Sequence, residues 1–192
     1  MSLGEIASQE YLEDSERAEQ GIKFLLKANE LYQEDAKILS TEEYSRVCLA
    51  LSTLYRQYKK DTSQAKRWLE LVKDKITDKK VLLQFYMETA EILSGENKHY
   101  AALDSNKKAM ELAKQIFRDD DYQMFELQIT LAGAYEKCEE RDQAEAIFNE
   151  CFKMMDGRDG QSVYSRGMSI HSKISKALSI RSKGTSLVQY GK

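Results

Sequence analysis

The sequence predicts an all-α protein, and three observations lead to this prediction. The chain has no proline among its 192 residues, and glycine is scarce before residue 157, so little interrupts helix formation. Helix-forming residues such as Ala, Leu, Glu, Lys and Gln are abundant. Few stretches alternate between apolar and polar residues with the period of two that a half-buried strand requires.

Apolar residues recur with helical spacing in seven stretches, and the residues between them carry helix-boundary signals. Ser40 and Glu43 have the spacing of a capping box, and Asp61 and Asp119–Asp121 are suited to N-cap positions. Gly95 is expected to end a helix in the left-handed conformation. The predicted helices span residues 16–38, 41–59, 62–76, 79–94, 98–117, 121–138 and 142–155.

A pattern of large, small and aromatic residues is clearest between residues 131 and 152, where two amphipathic helices follow each other. Small Ala132 faces small Ala144 where these helices would cross. The positions of the pattern are filled by Leu131, Ala132, Tyr135, Ala144, Phe148 and Cys151. Upstream the same positions hold Thr89, Ala90, Leu93, Ala102, Asn106 and Ala109, and before those Leu51, Ser52, Tyr55, Ala65, Leu69 and Val72. A looser fourth set comprises Ala7, Ser8, Tyr11, Gly21, Leu25 and Ala28.

These repeated hairpins resemble the tetratricopeptide repeat (TPR) family. The resemblance implies a right-handed α-solenoid of antiparallel helical hairpins, with three to four repeats over residues 1–155. The equivalent residues Tyr55, Leu93 and Tyr135 lie 38 and 42 residues apart. This period exceeds the 34 residues of the commonest unit and indicates longer helices. The usual closing proline is absent, so related helical-hairpin arrays such as the vesicle-fusion adaptor proteins stay open as an alternative.

Residues 156–192 differ in composition from the rest of the chain. They contain seven Lys and Arg against two Asp, a net charge of +5, which leaves −8 for residues 1–155. Eight serines fall between residues 162 and 186, and apolar residues with helical spacing predict a helix near 162–183. A basic helix capping the exposed end of the array, followed by a frayed tail, is the expectation for this segment.

Composition and cysteine usage indicate an intracellular protein. No run of 18 apolar residues and no signal-peptide pattern occurs, so we expect neither a membrane span nor secretion. The chain has an odd number of cysteines without C-x-x-C spacing, and each lies in a helical pattern: Cys48, Cys138 and Cys151. They are expected to be buried and reduced, in a cytoplasmic compartment.

Catalytic and cofactor motifs are not found. The sequence has no glycine-rich phosphate loop and no nucleophile elbow. His99 and His171 are isolated from each other and from cysteine, and Asp156–Gly160 lacks the alternating acids of a calcium loop. We expect no enzyme activity, no cofactor, no metal and no small-molecule substrate.

In TPR proteins the first helix of each hairpin lines a concave groove that holds a peptide or helix of a partner protein. The resemblance therefore implies a partner-binding groove in this chain. One TPR subclass binds the C-terminal carboxylate of chaperones with a clamp in this groove. The acidic residues Glu88 and Glu126 at groove positions of this chain are unsuited to such a clamp, because they would repel the carboxylate. Leu49, Met87 and Ile129 are expected to form an apolar stripe along the groove floor. The groove residues are Arg46, Leu49, Thr53, Arg56, Gln84, Met87, Glu91, Glu126, Ile129 and Glu136.

The leading hypothesis is thus a non-catalytic protein-interaction scaffold. One alternative is a peptide-sensing regulatory fragment of a bacterial signalling protein, and another is binding of nucleic acid or an anionic surface through the basic C-terminal segment. Homo-oligomerisation is a further hypothesis, because a degenerate first unit would expose Tyr11, Leu25 and Leu26.

Overall fold

The computed structural model describes the backbone of residues 3–118 and 121–156, and the side chains of residues 14–118 and 121–151. Within these ranges the chain forms seven helices and no strand, so the predicted all-α class is confirmed. The helices are α1 (Leu3–Glu34), α2 (Thr41–Gln57), α3 (Thr62–Glu70), α4 (Lys79–Gly95), α5 (His99–Ile116), α6 (Tyr122–Lys137) and α7 (Arg141–Asp156). The predicted capping helix near 162–183 lies outside the described residues.

The chain divides into two compact units, at residues 1–112 and 113–192, and the division falls within α5. In the first unit, α2 packs against α1, α3 and α4, and α3 also packs against α4. In the second unit, α6 and α7 pack against each other as an antiparallel hairpin.

Two predicted helices have the wrong ends. The first helix begins at Leu3, not at residue 16, because no strong breaker interrupts the acidic residues 5–16. It stops at Glu34, where the Asp35 carboxylate accepts a hydrogen bond from the Lys37 N–H (2.9 Å) and forms a local turn. The third helix ends at Glu70, not at residue 76. Beyond it the chain continues in tight turns closed by bonds over three residues, such as Lys75 N–H to Val72 C=O.

The N-cap predictions have different outcomes. The capping box is confirmed, because the Ser40 Oγ accepts from the Glu43 N–H and the Glu43 carboxylate accepts from the Ser40 N–H. Asp61 is also an N-cap, and its carboxylate accepts from the Gln64 N–H at 2.9 Å. Asp121 occupies the N-cap position of α6 but makes no side-chain bond to that helix. Its carboxylate instead accepts from the preceding Arg118 N–H.

The left-handed residues of the hairpin turns are not glycines. Gly95 remains helical as the last residue of α4, so the expectation for Gly95 is wrong. The left-handed conformation falls on Asn97 (φ 60°), and in the other two hairpins on Lys60 (φ 54°) and Glu139 (φ 63°). The Lys98 C=O accepts the first hydrogen bond of α5, from the Ala102 N–H, and the chain reverses at the residue before it, Asn97. Gly95 lies two residues before Asn97 and still belongs to α4.

The three hairpin turns share a hydrogen-bonding pattern. Tyr55, Leu93 and Tyr135, the equivalent residues of the sequence pattern, each accept a bond at their C=O from the residue after the left-handed one, at 3.0, 2.9 and 3.0 Å. After α4 and α6 it spans five residues, as the closing bond of a Schellman helix end does, whereas after α2 it spans six. The turn after α2 contains one residue more than the other two, as its sequence indicated.

Small residues lie buried where paired helices cross, as the pattern predicted. Ala132 and Ala144 are at most 1% exposed in the second unit, and they pack with Phe125, Phe148 and Cys151. In the first unit Ser52 and Ala65 are fully buried. Larger apolar residues surround that crossing and form a cluster of Leu49, Ala65, Leu69, Val81, Phe85 and Ile92.

A second cluster of the first unit joins α1, α2 and α3. Tyr44, Cys48 and Val72 are its buried members, and Tyr32 and Trp68 pack against them. The rings of Tyr32 and Tyr44 are stacked with their centroids 3.8 Å apart. All three cysteines of the chain are buried free thiols, as expected.

Candidate partner-binding site

A two-bond ion pair of the first unit joins α2 to α4. The Arg56 Nε donates to Glu88 Oε1 at 2.8 Å, and its terminal nitrogen donates to Glu88 Oε2 at 3.0 Å. The two parallel bonds are the geometry in which arginine binds carboxylate most specifically. Thr53 Oγ1 and Ser52 Oγ donate to the same carboxylate at 3.1 and 3.5 Å. Glu88 is thus held by four donors of α2.

The Arg56–Glu88 pair is largely buried between α2 and α4, so it affects how these two helices pack. The Glu88 side chain is 8% exposed and that of Arg56 is 22% exposed, so neither charge is well solvated. The Glu88 carboxylate raises the pKa of Arg56 through its hydrogen bonds. Because both carboxylate oxygens are already occupied by donors, Glu88 serves as a structural acceptor that fixes how α4 lies against α2.

A second acidic residue of α4 also acts on the guanidinium of Arg56. The charge of Glu91, which is exposed, acts on the Arg56 guanidinium and further favours its charged form. Arg56 is therefore influenced by a buried carboxylate that it contacts and by a solvated one.

At the start of α4 the charges are arranged differently. Arg46 of α2 is 60% exposed, and its guanidinium lies 3.8 Å from the carboxylate of Asp78, the N-cap of α4. Backbone N–H bonds from Val81 and Lys80 lower the pKa of Asp78 below its usual value. Glu42 Oε1 accepts from the Thr77 hydroxyl and from the N–H groups of Thr77 and Asp78, which ties this end of α4 to the first turn of α2.

We call this line of contacts the α2/α4 seam, defined by Arg46, Thr53, Arg56, Asp78, Glu88 and Glu91. An exposed face of α4 runs beside it and carries Gln84, Met87 and Glu91 at helical spacing. Met87 is 38% exposed. The fixed charges of the seam thus lie beside an accessible apolar side chain.

The expected apolar stripe is wrong at Leu49. This side chain is only 5% exposed and packs in the cluster with Leu69, Val81 and Phe85. Because α4 lies against this face of α2, Leu49 faces the core and cannot contact a ligand on the surface.

The predicted groove residues of the second unit lie on α6. Glu126 is exposed and accepts a bond from the Tyr122 hydroxyl at 3.1 Å. Ile129 is half-buried and packs against the cluster that includes Phe125 and Phe148. Glu136 is exposed near the end of the helix. Only part of the Ile129 side chain is accessible.

The pairing role of Glu88 was not predicted from the sequence, although a signal for it exists. Glu88 lies three residues from Phe85 and four from Ile92, on the apolar face of α4. Arg56 likewise shares a face of α2 with Leu49 and Ser52. Opposite charges that interrupt the apolar faces of two adjacent helices indicate an internal ion pair.

Other kinds of site find little support in the part of the chain that the structure describes. There, no three His, Cys, Asp or Glu side chains come together as a metal site requires. None of the described helices has the length and apolar character needed to cross a membrane. The sequence matches no model of a known protein family, and no curated protein is significantly similar to it.

Proposed function

We propose that the protein is a non-catalytic interaction scaffold built as a TPR-like solenoid, and that the α2/α4 seam binds a segment of a partner protein. The observation that carries this proposal is the seam itself, where exposed Met87 lies beside charges whose positions are fixed by the Arg56–Glu88 pair. Prearranged groups lose little conformational entropy when a ligand binds.

Local geometry supports the TPR-like part of the proposal. The three hairpin turns repeat one pattern of left-handed residue and closing hydrogen bond. The small residues of the sequence pattern are buried where α2 crosses α3 and where α6 crosses α7. Repetition of one supersecondary unit is the defining feature of this class of protein.

The charges along the seam specify the chemistry of the partner. Arg46 and Arg56 are ten residues apart on α2, which corresponds to about 15 Å along a helix. An extended segment of roughly five residues spans this distance. Arg46 favours an acidic residue at one end of the segment, and exposed Glu91 favours a basic residue at the other. An apolar side chain between them would cover Met87.

A peptide selection tests the proposal and does not require an identified partner. The full chain is used to select from a displayed random peptide library, and the selected sequences are synthesised and titrated by fluorescence anisotropy. We expect sequences with an acidic residue, an apolar residue and a basic residue over about five positions. Met87→Glu should weaken their binding at least about tenfold, a loss of some 1.4 kcal/mol.

Leu71→Glu is the matched control for that substitution. Leu71 is also an exposed large apolar residue, at 46% against 38% for Met87, but it lies just after α3 and off the seam. Equal effects of the two substitutions, or no effect of Met87→Glu, would show that the selected peptides bind elsewhere.

A further inference from the structure

The first helix carries two apolar faces, and only one of them is covered in the first unit. Ala18 and Ile22 are buried on one face, and Gly21 approaches Leu54 of α2 closely enough that a Cβ there would lie 3.6 Å from Leu54 Cδ1. Phe24 follows Ile22 by two residues, which places it on the opposite side of the helix. It is 76% exposed.

The exposed face continues beyond Phe24 as a stripe. Half-buried Ala28 and exposed Leu31 follow at spacings of four and three residues, and Leu31 is 37% exposed. The hypothesis that Leu25 and Leu26 form this exposed surface is corrected, because both side chains are half-buried. The side chain of Tyr11 lies outside the described residues. We define the α1 stripe as Phe24, Ala28 and Leu31.

One flank of the α1 stripe carries four charges in a particular order. Lys23 and Lys27 come first and Glu30 and Glu34 follow, all exposed and all on the same side of the stripe. Lys27 already bonds Glu30 at 2.9 Å within the helix, but both side chains are about 60% exposed. Such a surface pair is worth little and can exchange partners readily.

We infer that the α1 stripe is the interface of a homodimer in which two copies of α1 pack antiparallel. An antiparallel pair brings the lysine half of the flank against the glutamate half of the other copy. One register places Lys23 opposite Glu34 and Lys27 opposite Glu30 at the same time, because the two lysines and the two glutamates have the same four-residue spacing. In a parallel two-fold pair this flank of one copy would face the opposite flank of the other, so the lysines and glutamates would not meet.

The same register joins the apolar side chains. Leu31 of one copy falls between Phe24 and Ala28 of the other, in the manner of a knob in a hole. The contact is isologous, as a two-fold dimer requires. Each copy contributes three apolar and four charged residues, which is a small contact, so we expect a weak dimer that dissociates in the micromolar range.

Sedimentation velocity of the full chain over the micromolar range tests the inference. We expect the wild-type chain to show a monomer–dimer equilibrium, and Phe24→Asp to weaken association at least about tenfold. Leu71→Glu, which changes an exposed apolar residue elsewhere, should leave the equilibrium unchanged. A wild-type chain that stays monomeric, or a Phe24→Asp chain that dimerises as strongly as the wild type, would overturn the inference.

Charge exchange tests whether the two charged flanks meet across the interface. The double variants Lys23→Glu/Lys27→Glu and Glu30→Lys/Glu34→Lys should each be monomeric, because their flanks carry a single sign of charge. Mixed together, they should form a heterodimer. No association in the mixture would show that the flanks do not meet across the interface, which would overturn the inference. Circular dichroism establishes that each variant is folded, and Phe24→Asp should still bind the peptides selected on the α2/α4 seam.

Discussion

Arg56 and Glu88 join α2 to α4 by two parallel hydrogen bonds of 2.8 and 3.0 Å, in a place where neither side chain is well solvated. The hydroxyls of Ser52 and Thr53 complete the shell of donors around the carboxylate. An internal pair of this kind compensates the cost of desolvating both charges only while both partners are present.

Removing one partner should therefore destabilise the first unit strongly. We expect Glu88→Ala to lower the free energy of unfolding by about 3 kcal/mol, because the Arg56 charge is left partly buried without a counter-charge. Trp68 is the only tryptophan of the chain and packs in a core cluster of this unit. Its fluorescence during urea unfolding therefore reports the change.

The double variant Arg56→Met/Glu88→Leu is the control for that interpretation. With both charges removed, the loss should be smaller than in Glu88→Ala, since Ser52 and Thr53 can turn their hydroxyls to backbone C=O groups one turn earlier, as Ser45 does at 2.8 Å. A double variant less stable than Glu88→Ala would mean that the unpaired Arg56 charge does not cause the loss in the single variant.

The helix boundaries and the site differ in how far the sequence determines them. The Ser40–Glu43 box is a local signal, and its structure depends on four consecutive residues. The end of α3 depends on where the following turn packs, so apolar spacing alone extended that helix to residue 76. Leu49 occupies a groove position in the repeat pattern, yet the packing of α4 against α2 turns it into a core residue. Which face of a helix is covered is a tertiary property that periodicity does not reveal.

The capping box predicts a measurable effect at the start of α2. Ser40→Ala removes the acceptor of the Glu43 N–H and should cost about 1 kcal/mol at neutral pH. Ser63→Ala is the matched control, because Ser63 is an exposed serine inside α3 and not at its N-cap. That substitution should change stability by less than about 0.5 kcal/mol in the same fluorescence assay. If Ser40→Ala and Ser63→Ala lowered the free energy of unfolding equally, the Ser40 cap would have no special role in stability.

Glu139 holds a left-handed backbone conformation that glycine adopts without strain. We expect Glu139→Gly to raise the stability of the second unit by up to about 1 kcal/mol, because its φ of 63° disfavours a residue with a Cβ. Glu139→Ala removes the same carboxylate but keeps the Cβ, and it should bring no such gain. Thermal unfolding followed by calorimetry compares the two chains.

At Gly133, in the same unit, adding a side chain instead of removing one should raise the stability. It lies inside α6, and a Cβ at this position meets no atom within 4 Å. Gly133→Ala should therefore stabilise α6 by about 0.5–1 kcal/mol through the lower entropy of the unfolded chain. Calorimetric unfolding of the wild type and of Gly133→Ala at one pH measures this gain. A loss of stability would indicate that another group occupies the space beside α6.

Tyr44 predicts how the first unit responds to alkaline pH. Burial, together with the Cys48 thiol beside it, raises the pKa of Tyr44 from 10 to about 12, and its hydroxyl donates to Asn29 Oδ1 at 3.0 Å. The neutral phenol is thus favoured in the folded state, whereas the unfolded chain loses this proton near pH 10. The contribution of Tyr44 is complete below pH 10 and is lost as the pH rises through 12, by about 2–3 kcal/mol in total.

Urea unfolding followed by Trp68 fluorescence between pH 8 and about 11.5 measures this loss. Tyr44→Phe cannot lose the proton, so its stability should fall less over the same range, although it starts lower because the bonds to Asn29 and Gln33 are gone. Each chain is also compared with its Cys48→Ala counterpart, since burial raises the pKa of that neighbouring thiol and the thiol contributes to the raised pKa of Tyr44. Parallel declines in the two chains would show that other groups cause the alkaline loss, and that Tyr44 ionises in the folded state as readily as in the unfolded one.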